Sequence, residues 1–135
     1  MADKSYALEI RTPEKLVFEE QVSSVTAPGV EGNFQILADH IPFLTILTTG
    51  VINIQTMDGD RSLATSGGLF EVLSGRVTAL LDTAEWSDEI DVERAEASRN
   101  RAKERLTSRG AIDIDEIRAE AALKRALTRL KISSP

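Results

Sequence analysis

Arginines are the side chains of this sequence whose type and spacing best suit a chemical task. Residues 88–135 contain 11 basic side chains, eight of them arginines, and 10 acidic ones, whereas residues 1–87 contain 12 acidic and five basic ones. A guanidinium group presents a fork of N–H donors that matches the oxygens of a phosphate. The second part of the chain therefore offers the donors that a phosphate-bearing ligand needs.

The arginines recur at spacings that would align them along helices. One set comprises Asp91, Arg94, Arg101 and Arg105, and the other comprises Arg118, Arg125 and Arg129. Each set would lie on one helical face, and the two faces can converge in a hairpin. Two interpretations stay open. The arginines form a solvated face with weak ion pairs, or they bind phosphate groups or the acidic loops of a partner.

The residue types that most often carry out catalysis are absent or scarce in this chain. The chain has no cysteine, its one histidine is His40, and it lacks a Gly-x-Ser-x-Gly motif. These facts exclude thiol chemistry and disulfides, and one histidine cannot build a multi-histidine zinc site. We therefore predict no catalytic residue and no metal site. Gly67 and Gly68 lack the lysine and the following helix of a phosphate loop, so they predict a bulge or a close backbone approach in a sheet.

Charge and hydropathy restrict the class of partner. The formal net charge of −6 disfavours nucleic acid. The apolar stretches are far shorter than a membrane span, and the first residues do not resemble a signal peptide. We expect any membrane association to come through a partner.

The elements that must position these residues differ between the two parts of the chain. Short strands separated by turn signals fill residues 6–82 and indicate an antiparallel sandwich or barrel. The expected strands cover residues 6–11, 16–18, 22–27, 34–37, 43–47, 51–56, 62–65, 69–73 and 76–82.

After Trp86 the pattern becomes helical. Ser87 or Asp88 can cap a first helix that reaches about Leu106, and residues 108–110 (SRG) break it. A second helix is expected from Ile114 to about Ile132, after cap spacing at residues 113–116.

The two helices predict an antiparallel hairpin with a thin seam. The apolar positions of this seam are Ile90, Ala95, Ala102 and Leu106 on the first helix and Ile117, Ala122, Leu123, Ala126, Leu127 and Leu130 on the second. Alanines bury little surface, and isolated helices of this length are marginal in water. We expect a weakly held hairpin that can rearrange when a partner offers a better surface.

Four ordered motifs resemble the epsilon subunits of F-type ATP synthases. They are residues 31–44 (EGNFQILADHIPFL), 66–72 (SGGLFEV), 90–95 (IDVERA) and 122–130 (ALKRALTRL). Each motif is weak alone, but the set spans almost the whole chain in the family's order. Gln35 and the pair Ala38-Asp39 depart from the family's usual glycine and Pro-Gly, so the local turn is expected to differ.

The resemblance implies an α+β fold. It implies a flattened antiparallel β-sandwich of ten strands in residues 1–86, followed by an antiparallel two-helix hairpin in residues 87–135. It also implies a non-catalytic rotor subunit of the central stalk that docks on the gamma subunit and the c-ring. The hairpin would fold against the sandwich, or extend along gamma into the alpha/beta catalytic head and restrain ATP hydrolysis.

Particular residues take roles from the resemblance. No cofactor is required, but regulatory ATP is implied for the folded hairpin. Glu85, Ile90 and Asp91 would lie near the adenosine, and Arg94, Arg101, Arg125 and Arg129 near the phosphates. Glu31 would face the c-ring and His40 would pack near gamma.

The resemblance also predicts where the protein is located, and one alternative function stays open. The protein would be peripheral on the cytoplasmic face of the plasma (inner) membrane, or on the stromal side of a thylakoid. A free-standing nucleotide-sensing module is the alternative function, and its mark would be a lack of affinity for gamma.

Overall fold

Ten strands and two helices make up the computed structural model, which describes residues 4–107 and 113–133. Several strands alternate between buried and exposed side chains, as expected for strands with one face on a core, whereas the strand over Ser24–Gly29 is buried along almost its whole length. Their bounds are β1 Tyr6–Arg11, β2 Leu16–Val22, β3 Ser24–Gly29, β4 Gly32–Leu37, β5 Phe43–Leu47, β6 Gly50–Thr56, β7 Gly59–Thr65, β8 Gly68–Leu73, β9 Arg76–Leu81 and β10 Ala84–Trp86.

The strands form a two-layered sandwich in which one continuous hydrogen-bonded sheet folds over itself. One layer has the order β10-β7-β6-β3-β4 and the other has β5-β8-β9-β1-β2. A single residue pair, Gly29 with Leu47, joins β3 to β5 where the sheet passes from one layer to the other. The inward side chains are chiefly aliphatic, with Tyr6 and Phe70 as the largest fully buried ones. The sandwich and the ten strands confirm the predicted architecture.

One pairing departs from the antiparallel pattern. β1 runs parallel to β9, with Leu8 opposite Val77 and Ile10 opposite Ala79. All four of these side chains are buried. The chain between these strands builds most of the sandwich, so it is long enough to return β9 in the same direction as β1.

Several strand boundaries differ from the expected ones. β2 continues to Val22, and the strand predicted over residues 22–27 starts only at Ser24. The predicted loop over residues 28–33 shrinks to a tight turn at Val30 and Glu31, because cross-strand pairing extends to Gly29 and Gly32. The short strand β10 was missed, since three residues carry too little pattern to be recognised.

The Gly67–Gly68 pair is a site of close backbone approach, as predicted. Gly68 has φ +154°, and a Cβ atom placed there would lie 2.2 Å from the carbonyl oxygen of Leu80. At Gly67, with φ +127°, an added Cβ atom would lie 2.8 Å from the carbonyl oxygen of Leu47. These glycines let three strand segments meet without side chains between them.

The first helix begins later than expected. Residues Ser87–Glu89 form a single 3₁₀ turn, and α1 spans Val92–Thr107. The carboxylate of Asp91 accepts a hydrogen bond from the backbone N–H of Arg94 (3.1 Å), and its carbonyl accepts one from Ala95 (3.0 Å). Asp91 is therefore the N-cap, and the predicted caps Ser87 and Asp88 are wrong. Ile90 precedes the helix and is partly buried.

The second helix, α2, spans Asp113–Ser133 and packs against α1, β6, β7 and the 3₁₀ turn. The predicted break at residues 108–110 lies outside the described residues. In the described parts of both helices the buried side chains are all alanines: Ala95, Ala102, Ala119 and Ala126. The seam is as thin as predicted, but Ile117 (65% exposed) and Leu127 (45% exposed) do not belong to it, and Ala119 does.

Candidate functional site

The hairpin meets the sandwich at the outer face of β10, β7 and β6. Glu85 lies opposite Ala64 in the β10–β7 ladder, so its side chain shares the sheet face that α2 covers. Its Oε1 accepts a hydrogen bond from Nε of Arg129 at 2.6 Å, in a half-buried ion pair. A second link joins Nζ of Lys124 to Oγ1 of Thr48 (3.3 Å). These polar contacts hold α2 on the sheet.

A cleft of about 250 Å³ opens beside this ion pair, where β10, the 3₁₀ turn and the two helices meet. Its lining residues are Glu85, Glu89, Asp91, Arg94, Ala95 and Arg129. The cleft volume approaches the lower end of the range for small-ligand sites. The polar lining suits a charged ligand better than an apolar one.

The carboxylates of the cleft are largely occupied. Glu89 accepts a hydrogen bond from the backbone N–H of Trp86 (3.1 Å), Asp91 caps α1, and Glu85 pairs with Arg129. Arg94 has no hydrogen bond or ion pair from its side chain among the described residues. Its guanidinium is therefore the available donor for an anion in this cleft.

The structure brings together some of the predicted ligand residues and separates others. Glu85, Asp91, Arg94 and Arg129 line the cleft, whereas Ile90, Arg101 and Arg125 do not. Arg101 bonds Oγ of Ser98 at 3.1 Å. Glu89, which the sequence analysis did not select, joins the lining because the 3₁₀ turn directs it there.

Arg125 instead lines a small neighbouring cavity between α2 and the sheet. This cavity has a volume of about 10 Å³, and threonine and serine side chains form much of its wall. It is about the size of one water molecule. Arg129 borders both spaces, so Arg125 is one turn of α2 away from the larger cleft.

His40 follows the turn after β4 and is not among the residues that line the cleft. Its Nδ1 is 2.8 Å from the carbonyl oxygen of Leu37 and its Nε2 is 2.6 Å from that of Leu73. The ring also meets the ring of Tyr6 edge to face, with 5.1 Å between centroids. His40 thus ties the end of β4 to the end of β8.

Tyr6 supports the same corner from within the core. Its hydroxyl donates to the carbonyl oxygen of Ile36 at 2.6 Å, and burial raises the pKa of this phenol. Nearby, Nζ of Lys4 pairs with Asp39 at 2.6 Å, and that hydrogen bond lowers the pKa of Asp39. Side chains of Asp39 and His40 therefore contact Lys4 and Tyr6 near the start of β1.

Glu31 stands at the tip of the β3–β4 turn beside Val30. Both side chains are exposed, and Glu31 makes no contact with another charged residue in the described part of the chain. The turn projects an apolar and an acidic side chain together.

A group of exposed apolar side chains that the residue pattern did not predict as one surface lies on the outer face of β5, β8, β9 and β2. The strand register places these side chains on one face, because cross-strand partners share a side. We call this surface the outer leucine face, and its apolar residues are Leu16, Leu44, Ile46, Leu69, Leu73 and Leu80. Each is between 37% and 61% exposed.

A charged cluster interrupts the outer leucine face. One oxygen of Glu9 accepts from Nε of Arg11 (2.6 Å) and the other from Nη2 of Arg76 (2.7 Å). The Arg11 hydrogen bond is the main cause of a lowered pKa for Glu9, with further contributions from Arg76. Alternation could have revealed the separate exposed leucines, but only the register shows that they lie side by side.

No segment of the described helices combines the length and apolar character that a membrane crossing requires. Among the same residues, no group of three or more histidine, aspartate or glutamate side chains could hold a metal ion.

Comparison with known proteins relates the whole chain to one family. A model of the ATP synthase delta/epsilon chain β-sandwich domain matches residues 5–87, and a model of the long α-helix domain of the same chains matches residues 88–134. An ATP synthase epsilon chain of Desulforamulus reducens is 46% identical over 128 residues, which cover 95% of this chain and 96% of the relative. That of Syntrophobacter fumaroxidans is 47% identical over 133 residues, covering 98% of each chain.

A solved structure shares the fold at lower identity. A chain in the mitochondrial ATP synthase of Euglena gracilis superposes with a TM-score of 0.82 at 23% identity, covering 92% of this chain and 78% of that one. At this identity the likeness concerns the fold alone.

Proposed function

The chain belongs to the ATP synthase delta/epsilon family, and on this basis we propose that it is a non-catalytic rotor subunit of the central stalk. In this role the sandwich docks on the gamma subunit and the c-ring and couples the catalytic head to the membrane ring. The helical hairpin restrains ATP hydrolysis when it extends toward the alpha and beta subunits. The protein is then peripheral on the cytoplasmic face of the membrane, or on the stromal side of a thylakoid.

The outer leucine face is the observation that carries the coupling role. Exposed apolar side chains that are grouped on one face and bordered by polar residues commonly mark protein interfaces. The cluster of Glu9, Arg11 and Arg76 adds polar groups, which can fix how a partner is positioned on this face. We assign this face to gamma, with His40 packing at its border. We assign the β3–β4 turn with Glu31 to the c-ring.

The hairpin supports the regulatory role because little holds it closed. Its buried side chains in the described residues are alanines, and α2 is fixed to the sheet by the half-exposed Glu85–Arg129 pair and the Lys124–Thr48 bond. An ion pair of this exposure contributes up to about 1 kcal/mol. A partner surface that offers more burial can therefore open the hairpin.

We further propose that the folded hairpin binds ATP as a regulatory ligand. The cleft between Arg94 and Arg129 would hold the phosphates, with Glu85 and Asp91 toward the nucleoside. Arg101, Arg125 and Ile90 would then act only after a local rearrangement. Binding to the folded form alone would stabilise it by RT ln(1 + [ATP]/Kd), so the hairpin would extend when ATP falls.

Adding the chain to an epsilon-free catalytic complex that contains gamma tests the proposed function. ATPase activity is measured with the full chain and with a version ending at residue 87. We expect both to bind and only the full chain to inhibit. Binding without inhibition by either would leave a coupling subunit and remove the regulatory role. Failure of both to bind would overturn the proposal.

Replacing Arg94 by Ala tests the nucleotide role. We expect weaker ATP binding by the full chain, because the free guanidinium of the cleft is lost while the Asp91 cap remains. Arg99→Ala is the matched control, since Arg99 lies on the same helix outside the cleft lining. Equal ATP affinity in the two variants would contradict the assignment.

The alternative function is a free-standing nucleotide sensor. One observation favours it: residues of this one chain form the cleft between Arg94 and Arg129. Such a sensor would bind ATP and would show no affinity for gamma, so the same binding experiment distinguishes it from the stalk subunit.

A further inference from the structure

Glu71 occupies the middle of the outer leucine face. The register places it between Leu44 of β5 and Thr78 of β9, and its neighbours along β8 on the same side are Leu69 and Leu73. The three leucines are 61%, 37% and 48% exposed. The carboxylate thus has exposed leucines on three sides and Thr78 on the fourth, and its diagonal neighbour Arg76 is bonded to Glu9.

The other acidic side chains of this face are compensated. Both oxygens of Glu9 are bonded, one by Arg11 and one by Arg76. Glu19, opposite Glu9 on β2, lies near enough to Arg11 to contribute to the raised pKa of that guanidinium. Glu71 has no ion pair or hydrogen bond from its side chain within the described chain.

Docking of a partner on the leucines would remove water from Glu71 as well. An ionised carboxylate without a partner is expensive to bury, and in protein interfaces buried charges are paired. The leucines favour a partner with apolar side chains, and Glu71 requires that this partner also bring a cation. A purely apolar partner surface would leave the carboxylate unpaired.

We propose that Glu71 is a specificity-determining residue that pairs with a lysine or arginine of the docked subunit. The inference rests on the proposed function and specifies its partner: a segment of gamma that presents apolar side chains around one basic residue. Glu71 then fixes the position at which the partner binds on the outer leucine face. The neighbouring Glu9 needs no charge from the partner, because Arg11 and Arg76 already pair with it.

The test measures the dissociation constant of the full chain for the epsilon-free catalytic complex that contains gamma. Three variants are compared with the unchanged chain: Glu71→Gln, Glu71→Leu and Asp58→Asn. The first removes the charge at nearly constant shape, and the second extends the apolar surface. Asp58→Asn removes an equal charge in the β6–β7 turn, away from this face. Circular dichroism verifies that each variant folds.

We expect both Glu71 variants to bind at least about tenfold more weakly, since truncating one member of a buried charge pair costs more than that. Asp58→Asn should bind like the unchanged chain. Unchanged or tighter binding of Glu71→Gln and Glu71→Leu would overturn the inference and leave the proposed docking intact. If the unchanged chain does not bind, the proposed function fails, and the inference falls with it.

Discussion

Arg129 forms the ion pair between the second helix and the sandwich. Its guanidinium bonds Glu85, which the β10–β7 register turns toward α2. The same side chain borders both the larger cleft and the water-sized cavity. A ligand that draws Arg129 toward its own phosphates would compete with Glu85. The ion pair and the proposed nucleotide site are therefore linked through one side chain.

Gly68 gives a prediction about the sheet. Gly68→Ala would place a Cβ atom 2.2 Å from a backbone oxygen, so the strand must shift, at a cost of about 1–3 kcal/mol or more. Gly32→Ala is the control, because Gly32 also has a positive φ (+129°) but has open space around it. Urea unfolding measures both variants. A larger loss for Gly32→Ala would contradict this account.

The ion pairs of Glu9 predict how the free energy of unfolding changes at acidic pH. Its pKa is lowered below the ordinary value of 4.5, chiefly by the hydrogen bond from Arg11. A lowered pKa in the folded state contributes stability above the ordinary pKa and loses it as the pH falls through the lowered one. We expect the free energy of unfolding to decrease on acidification below about pH 4.5.

The acid effect can be assigned with two variants. Glu9→Gln should flatten the decrease in unfolding free energy, because the titrating group is gone. Glu14→Gln should leave the decrease as it is, since Glu14 has no ion pair among the described residues. Identical pH profiles of the unchanged chain and Glu9→Gln would rule out this source.

At the scale of elements, small side chains decide how the two helices approach. Ala95 and Ala102 are seven residues apart, as are Ala119 and Ala126, and all four are buried. A seven-residue spacing keeps one side of each helix on the contact. The resulting seam permits a close approach of backbones but buries little apolar area, so it can separate at low cost.

Ala126→Leu tests this seam. The larger side chain would force the helices or the sheet contact apart, with a cost of about 1–3 kcal/mol to the docked hairpin. Leu127→Ala is the control from the neighbouring position, which is exposed, and should change stability by no more than about 0.5 kcal/mol. Amide hydrogen exchange in α2 reports the difference. The reverse order of effects would place Leu127 in the seam and Ala126 outside it.

At the scale of the molecule, the sandwich and the hairpin differ in how much apolar surface they bury. The buried residues of the sandwich form one cluster that includes Tyr6, Phe70 and the inward aliphatic side chains of both layers. The helices add only alanines to the buried set in the described residues. Two parts of such different burial are expected to open independently.

Hydrogen exchange of the whole chain checks this contrast. Amides of α1 and α2 should exchange faster than those of the central strands β1, β8 and β9, because local opening of the hairpin exposes little apolar surface. Exchange that is slower in the helices than in these strands would show that the hairpin is not the weaker part. Addition of ATP should slow exchange in the helices if the proposed nucleotide site is occupied.

Sequence patterns were sufficient for the element types and the overall architecture. The alternation of Tyr6, Leu8 and Ile10 predicts an inward face, and these three side chains are buried. Alanines at Ala95 and Ala102 predict a thin helical contact, and they are buried as well. Local periodicity determines these features, because it depends only on the repeat of one strand or helix.

Only the tertiary structure decided which face of a helix is buried and which distant residues meet. Ile117 lies on the face of α2 opposite Ala119 and Ala126, and Leu127 lies about a quarter-turn from Ala126, because each residue advances a helix by about 100°. Packing on the alanine side buries Ala119 and Ala126 and leaves Ile117 and Leu127 exposed. Leu44, Leu69 and Leu80 come together on three strands through cross-strand register, and Glu85 reaches Arg129 across 44 positions. These pairings depend on non-local packing, which the spacing of residues along one chain does not encode.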